Sequence, residues 1–457
     1  MDAKKYVDDM IAKARIAQQE FEKYDQAQTD AVVKAAGKAI YDVGEELAKD
    51  AVEESKMGVY EDKILKNKNK AMFTWKYLKD KKSVGIIERD EELGITKVAK
   101  PIGVIGAITP VTNPVMTPMH NAMIALKGRN AIIICPHPSA KAVGYKTAEI
   151  MREGIAKVGA PKDLVQCVDP DNISMEVSGA VMSECDVCIA TGGPGMVVAA
   201  YSSGKPAFGV GAGNNQCLVD KDQDPKVVAP KILTGRTQDN GVLCTCEQTV
   251  IAPKEIFDDM MTELQAIGVK YYDDPADIAK LRETLFPGGA LNKKAVGASP
   301  KTIADMAGLD CPADAKALMA KCEIAGVEED LSQEKLFPVL AAYCYDKWEE
   351  GVDIVNANLN NMGKGHSISM HSFNRDNIEY AAEQVPVSRF LVNGVGSAGL
   401  GGAATNNLVP TGTLGCGTWG GNSISENLAY YHLINVSRIA YTDETMEFPN
   451  PDEVWAD

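Results

Sequence analysis

The sequence predicts an α/β fold: two doubly wound domains of parallel sheet and helix, with a β-hairpin standing apart from them. Three observations lead there. From Pro101 onward, short apolar runs alternate with helical segments, at Gly103 to Ile108, Ala131 to Cys135, Val187 to Thr191, Gln216 to Val219 and Thr249 to Ala252. Strands apolar on both sides belong to parallel sheets covered on both faces. Further β-prone runs, Pro338 to Tyr345 and Phe390 to Asn393, recur between helices in the second half and call for a second sheet. Finally, 457 residues of which 45% are hydrophobic suffice for at least two cores.

Taken in order, residues 1 to 80 read as successive charged amphipathic helices. In the first, Val7, Met10, Ile11, Ala14, Ala17 and Phe21 recur at helical spacing, marking one buried face. Ser83 to Ile87 and Ile95 to Val98 flank the acidic turn Arg89 to Gly94, the pattern of a hairpin protruding over residues 83–100. The glycine-rich stretch Gly394 to Gly402 and the run Thr411 to Asn422 read as loops approaching a site or a neighbouring subunit.

Charge narrows the partners. The chain has 47 basic and 63 acidic residues, a net charge of -16, which disfavours binding to a phosphate backbone, so no nucleic acid partner is expected. Small anions are another matter, since local Lys, Arg and N–H groups bind them on acidic proteins. No stretch approaches the roughly 18 to 20 apolar residues of a membrane span, so no membrane association and a cytoplasmic location are expected. The eleven cysteines are scattered without paired metal-ligand spacing, which predicts reduced thiols and no metal site.

Three segments carry the chemistry. In Asp239-Asn240-Gly241-Val242-Leu243-Cys244, a turn signal delivers a cysteine just before a strand or helix start, where backbone dipoles favour the thiolate. A cysteine is more often a small buried hydrophobe, and Cys246 competes for the same role. In Ile108-Thr109-Pro110-Val111-Thr112-Asn113-Pro114, a strand ends in an Asn whose backbone is fixed by the following proline. A rigid amide can donate to a developing oxyanion, although a turn Asn bonding its own backbone is common. After the strand Val187 to Thr191, the turn Gly192-Gly193-Pro194-Gly195 opens a helix and offers N–H groups to a pyrophosphate. Neither it nor Gly209-Val210-Gly211-Ala212-Gly213 satisfies the spaced dinucleotide fingerprint.

Together with MGVYEDK at 57, TNPVMTPM at 112, ALKGRNAIIICPHP at 125, AYSSGKP at 200 and LGCGTWGGNSISEN at 414, these motifs resemble, nearly end to end, the aldehyde dehydrogenase superfamily. Within it the chain resembles the CoA-acylating branch, above all CoA-acylating succinate-semialdehyde dehydrogenases. The resemblance implies an aldehyde dehydrogenase-like fold with a cofactor domain over 1–227, a catalytic domain over 228–425 and a C-terminal return and oligomerisation segment over 426–457. It implies a homodimer or homotetramer bridged by the hairpin and that segment.

By position, the resemblance makes Cys244 the nucleophile and Asn113 the oxyanion amide, and His366 a candidate proton shuttle, against a structural histidine. Glu334 matches the glutamate that binds the nicotinamide ribose. Thr109, Pro110, His137, Pro138, Thr191, Gly192, Gly193 and Gly211 complete the implied NAD or NADP site, and Ser139 and Lys141 leave room for a 2′-phosphate. Hydrolytic relatives carry a glutamate general base where this chain reads Gly209 to Gly213, with no ionisable side chain. The acyl-enzyme should therefore await the thiol of CoA. The implied reaction converts an aldehyde, CoA and NAD(P)+ reversibly to acyl-CoA and NAD(P)H. Succinate semialdehyde is the first substrate candidate, with sulfoacetaldehyde or a short aliphatic aldehyde as alternatives. A hydrolytic enzyme, an acyl-phosphate reductase and a non-catalytic dinucleotide-binding paralogue are the rival readings. His120 and Arg236 lie near the motifs as cations for a substrate anion, or as structural residues.

Overall fold

A computed structural model describes residues 2–456. Four helices, Ala3–Phe21, Gln26–Asp42, Gly44–Ser55 and Tyr60–Leu78, open the chain. Of the first helix's predicted apolar stripe, Val7, Met10, Ala14, Ala17 and Phe21 are buried. A hairpin follows, β1 (Gly85–Asp90) with β2 (Ile95–Pro101), and then β3 (Val104–Ile108), β4 (Ala131–Cys135), β5 (Val165–Cys167), β6 (Val187–Thr191) and β7 (Ala207–Val210). The second half supplies β8 (Gln216–Val219), β9 (Thr249–Pro253), β10 (Val269–Tyr272), β11 (Ala317–Lys321), β12 (Val339–Tyr345), β13 (Ile368–His371), β14 (Phe390–Val392) and β15 (Ile434–Ala440).

These strands make three sheets. The first is parallel, in the order β5-β4-β3-β6-β7. β3 and β4 are buried throughout, as their unbroken apolar runs require. Helices Met116–Lys127 and Lys141–Ala156 pack together in one layer, and Ala3–Phe21 packs beside Met175–Glu184 in the other. The strand order reverses between β3 and β6, and ligands of open α/β sheets bind in the crevice at the carboxyl ends of such a pair. The second sheet is also parallel, β10-β11-β12-β9-β8-β13-β14. In the third, β15 pairs antiparallel with β2, adding a third strand to the hairpin. Leu428 and Leu433, just before β15, pack into the first core.

One boundary differs from the sequence reading. β8 was expected before residue 227 in the cofactor domain, yet it pairs with β9 and β13 in the second sheet. The chain therefore crosses between sheets at residues 211–215. The four apolar residues of β8 suit the interior of either sheet, so their pattern says nothing about which partner they take.

Packing behind the crevice is tight at Gly106 in β3, where a Cβ would press on the Val181 carbonyl and side chain and on the Cys185 thiol. Gly106→Val is expected to cost about 1–3 kcal/mol. Denaturant titration should show a lower midpoint, with a larger loss of dinucleotide binding than a surface Gly179→Ala control.

Candidate active site

A cavity of about 840 Å³ opens where the carboxyl ends of β3, β4 and β6 meet the amino ends of β9 and β12. Thr109, Pro110 and Asn113 line it after β3, His137 and Pro138 after β4, and Thr191, Gly192 and Gly193 after β6. Gly211, Cys244 and Glu334 come from the crossing segment and the turns before β9 and β12. Every predicted site residue except His366 thus borders one space. A Cβ at Gly193, Gly195 or Gly211 would meet no protein atom, so packing does not demand glycine there. The open backbone beside the first turn of helix Pro194–Tyr201 suits close approach of a pyrophosphate.

The nucleophile turn is held from behind. Asp239, Asn240 and Gly241 have φ of 54°, 53° and 74°, a left-handed run that Asn, Asp and Gly tolerate best. A Cβ on Gly241 would collide with the Arg236 guanidinium. That guanidinium is fully buried and donates to the carbonyls of Gly241 (2.7 Å), Lys335 (2.7 Å) and Glu247 (2.9 Å). Arg236 is therefore a clamp beneath the turn, facing away from substrate. On the other side the chain of Gly213 lies against Cys244, leaving no space for a Cβ. Cys246 is sealed in protein and outside the cavity, so Cys244 has no rival there.

Asn113 is oriented by a residue the sequence reading passed over. Lys66 Nζ donates to Asn113 Oδ1 at 2.7 Å. Because an ammonium can only donate, this contact fixes which end of the amide is oxygen and leaves Nδ2 as the donor end, held only by a long 3.4 Å bond to Thr112 Oγ1. Lys66 also pairs with Asp239 Oδ2 at 2.5 Å, and Lys63 reaches the same oxygen at 3.0 Å. Burial works against the Asp239 carboxylate, but the Lys66 and Lys63 ammonium groups keep its pKa below the ordinary value. The same carboxylate accepts the Val59 N–H at 2.7 Å. One buried acid thus joins the Asn113 amide, the turn that carries Cys244 and the amino terminus of helix Tyr60–Leu78. The signal in the sequence was the spacing of Lys63, Lys66 and Lys70, which share one helix face.

The titrating groups set a resting state. Burial, followed by the nearby Glu334 carboxyl, pushes the Cys244 thiol up to about 12, while the Arg389 guanidinium pulls it down. Cys244 therefore rests as the protonated thiol. Burial raises Glu334 to about 7, and its Oε1 accepts the Gly213 N–H at 2.8 Å. His366 lies apart from the cavity-lining residues. Its ring is fully buried off the cavity, with Nδ1 2.7 Å from Ser367 Oγ, and burial beside Arg389 drives its pKa well below the usual value. Among the described residues its Nε2 has no hydrogen-bond partner, and the proton-shuttle reading of His366 rests on the family resemblance alone. Local sequence identifies a histidine near glycines but not the depth at which it is buried. His120 is also fully buried, 3.1 Å from the Pro410 carbonyl, with burial pushing it down to about 4.

Two outcomes follow. Alkylation of Cys244 by iodoacetamide should accelerate about tenfold per pH unit between pH 7 and 9.5, because the thiolate is the reactive form and its fraction keeps growing over that range. A plateau below pH 9 contradicts the resting state described. Lys66→Met should lower kcat by roughly tenfold to a hundredfold, with a smaller change in the dinucleotide KM, and Lys66→Arg should restore part of it. Adding Asn113→Ala to Lys66→Met should cost much less than Asn113→Ala costs alone.

Comparison with known proteins gives this geometry its context. The model of the aldehyde dehydrogenase family matches residues 1–278. Succinate-semialdehyde dehydrogenase (acetylating) of Clostridium kluyveri is 48% identical over 449 residues, covering 98% of this chain and 98% of that protein. A sulfoacetaldehyde dehydrogenase of Acholeplasma is 41% identical, covering 98% of this chain and 93% of its own. The crystal structure of an acetylating aldehyde dehydrogenase from Geobacillus thermoglucosidasius superposes with a TM-score of 0.93 at 37% identity, covering 98% of each chain. With family, near full-length relatives and fold in agreement, the chain belongs to the aldehyde dehydrogenase family, in its CoA-acylating branch.

Proposed function

We propose that this protein oxidises an acidic aldehyde, succinate semialdehyde first, to its CoA thioester through a covalent acyl group on Cys244. The observation that carries this reading is the pairing of Cys244 and Asn113 on one cavity, next to a crossing segment without an ionisable side chain. After the Cys244 thiol releases its proton to solvent, its sulfur adds to the aldehyde carbon, and Asn113 Nδ2 donates to the alkoxide that forms. A bound nicotinamide dinucleotide supplies the hydride acceptor, and either NAD or NADP suits the residues at His137 to Lys141. The remaining thioester on Cys244 then passes to the CoA sulfur, regenerating the thiol.

Why CoA rather than water follows from the groups present. Glu334 is the one carboxylate among the cavity-lining residues, and it is engaged by the Gly213 N–H. Water needs a base to attack a thioester, whereas a thiol is intrinsically far more nucleophilic. Because the oxidised product is a thioester in place of a free carboxylate, the overall reaction lies near balance and the enzyme serves in either direction. The substrate reading is supported by the relative from Clostridium kluyveri, with the sulfoacetaldehyde relative as its alternative.

A homodimer or homotetramer completes the proposal. The three-stranded sheet and the segment after it expose Ile86, Leu93, Ile439, Tyr441, Phe448 and Trp455, apolar side chains suited to a subunit contact. Among the described residues no helix is long and apolar enough to cross a membrane, and no group of His, Cys, Asp and Glu could hold a metal ion.

The test is dinucleotide reduction by purified enzyme with succinate semialdehyde, sulfoacetaldehyde, acetaldehyde and butyraldehyde, each with CoA, with phosphate and with neither. Turnover that requires CoA and vanishes in Cys244→Ala is expected. Steady turnover without CoA would overturn the acylating cycle, and a requirement for phosphate would make the enzyme an acyl-phosphate reductase.

A further inference from the structure

Among the described residues, the titratable side chains that border the cavity are Cys244, His137 and Glu334. Cys244 is the nucleophile. His137 Nδ1 already accepts the Ser139 N–H at 3.1 Å, so the neutral ring carries its proton on Nε2 and has no acceptor to spare. Glu334 is left as the group on this cavity that can take a proton from a substrate.

Its carboxyl and the Cys244 thiol flank one peptide. Glu334 Oε1 accepts the Gly213 N–H at 2.8 Å, and Gly213 packs so closely on Cys244 that a Cβ there would lie 2.9 Å from the Cys244 Cβ. Among the described residues no donor meets the second oxygen, Oε2, so the carboxyl is anchored by one oxygen and keeps the other for a ligand. Burial pushes Glu334 up to about 7, against the pull of the Gly213 N–H, the Arg236 guanidinium and the Lys335 ammonium. Cys244 and Cys416 are the thiols that feel its charge.

The family resemblance gives Glu334 to the nicotinamide ribose, so the carboxylate is engaged while the dinucleotide is bound and released when it departs. What enters next is the thiol of CoA. A thiol of ordinary pKa, about 8.5, lies close enough to Glu334 to share its proton almost evenly, whereas water, at about 15.7, lies far from it. A base of this strength therefore assists a thiol and gives water little help.

We propose that Glu334 is the general base of deacylation, taking the proton of the CoA thiol at Oε2 once the dinucleotide has left. The CoA sulfur bonds to the acyl carbon, and the bond from that carbon to Cys244 breaks with its electron pair left on the Cys244 sulfur. That thiolate takes the proton back from Glu334, which restores both groups with nothing oxidised or reduced. This inference rests on the reading that an acyl group passes from Cys244 to CoA.

The experiment follows exchange of label between free CoA and succinyl-CoA or acetyl-CoA with no dinucleotide present, which isolates this half-reaction from any contact with the ribose. Glu334→Gln keeps an oxygen for the Gly213 N–H but cannot accept a proton. It is expected to slow exchange about a hundredfold at pH 7, and Glu334→Asp should recover part of the loss. In the wild type the rate should climb about tenfold per pH unit below pH 7 and level off above it, as the carboxylate becomes fully ionised. In Glu334→Gln it should keep climbing to about pH 8.5 with the thiolate of CoA itself. Alkylation of Cys244 by iodoacetamide should be no slower in Glu334→Gln, because a negative charge beside the thiol is removed. Unchanged exchange in Glu334→Gln would overturn the proposal. Slower exchange that keeps the wild-type pH profile, or that comes with slower alkylation, would overturn it too and reduce Glu334 to an anchor for Gly213. A wild type that reduces dinucleotide but exchanges label with neither acyl-CoA would defeat the acylating reading and this proposal together, whereas exchange in the wild type that Glu334→Gln leaves intact would defeat this proposal alone.

Discussion

The site is organised around the Asp239 carboxylate. It lies fully buried in a left-handed turn, receives Lys63 and Lys66 from a helix about 175 residues away in the chain, and accepts the Val59 N–H as well. Buried ion pairs seldom add net stability over apolar packing, and removing one partner leaves a stranded charge. What such a cluster supplies is definition. Asp62 accepts the Asp239 N–H and lies near Lys63, so two acids face two lysines, and Lys66 keeps a further N–H for Asn113 Oδ1. The amide can then present only its N–H to the cavity, at the moment the turn presents Cys244.

Sheet geometry gives that cluster its setting. The first sheet offers the cavity its carboxyl ends, where the connections from the neighbouring strands β3 and β6 part to opposite sides. The second sheet offers its amino ends, because Cys244 and Glu334 precede the neighbouring strands β9 and β12. Binding and covalent chemistry are thereby drawn from two independent cores that meet at one space. The crossing segment at 211–215 lies between them, and the collision a Cβ at Gly213 would make with Cys244 shows how closely the two halves approach.

Burial also governs the chemistry's timing. A thiol pushed up to about 12 is protected from adventitious oxidation and alkylation, and it must lose a proton before it reacts. Glu334, raised to about 7 beside it, is the nearby group poised to titrate at neutral pH. The opposing influences of Glu334 and Arg389 on Cys244 mean that anything displacing either group shifts the nucleophile.

Much of this was legible in the chain itself. Unbroken apolar runs gave β3, β4, β6, β8 and β9 within a residue or so, because strands buried on both faces have no polar positions to blur them. Short strands such as β5, β7 and β10 went unread, since three or four residues carry too little pattern. The turn chemistry of Asp239 to Cys244 and the Asn-Pro after β3 marked two groups that line the cavity, as left-handed turns and rigid amides have local residue requirements. The tertiary structure alone decided that β8 pairs in the second sheet, that His366 is enclosed, that Arg236 braces the turn before Cys244, and that Lys66 orients Asn113. Those outcomes depend on distances between residues remote in the chain and on depth of burial, and neither quantity is encoded in the spacing of neighbouring residues.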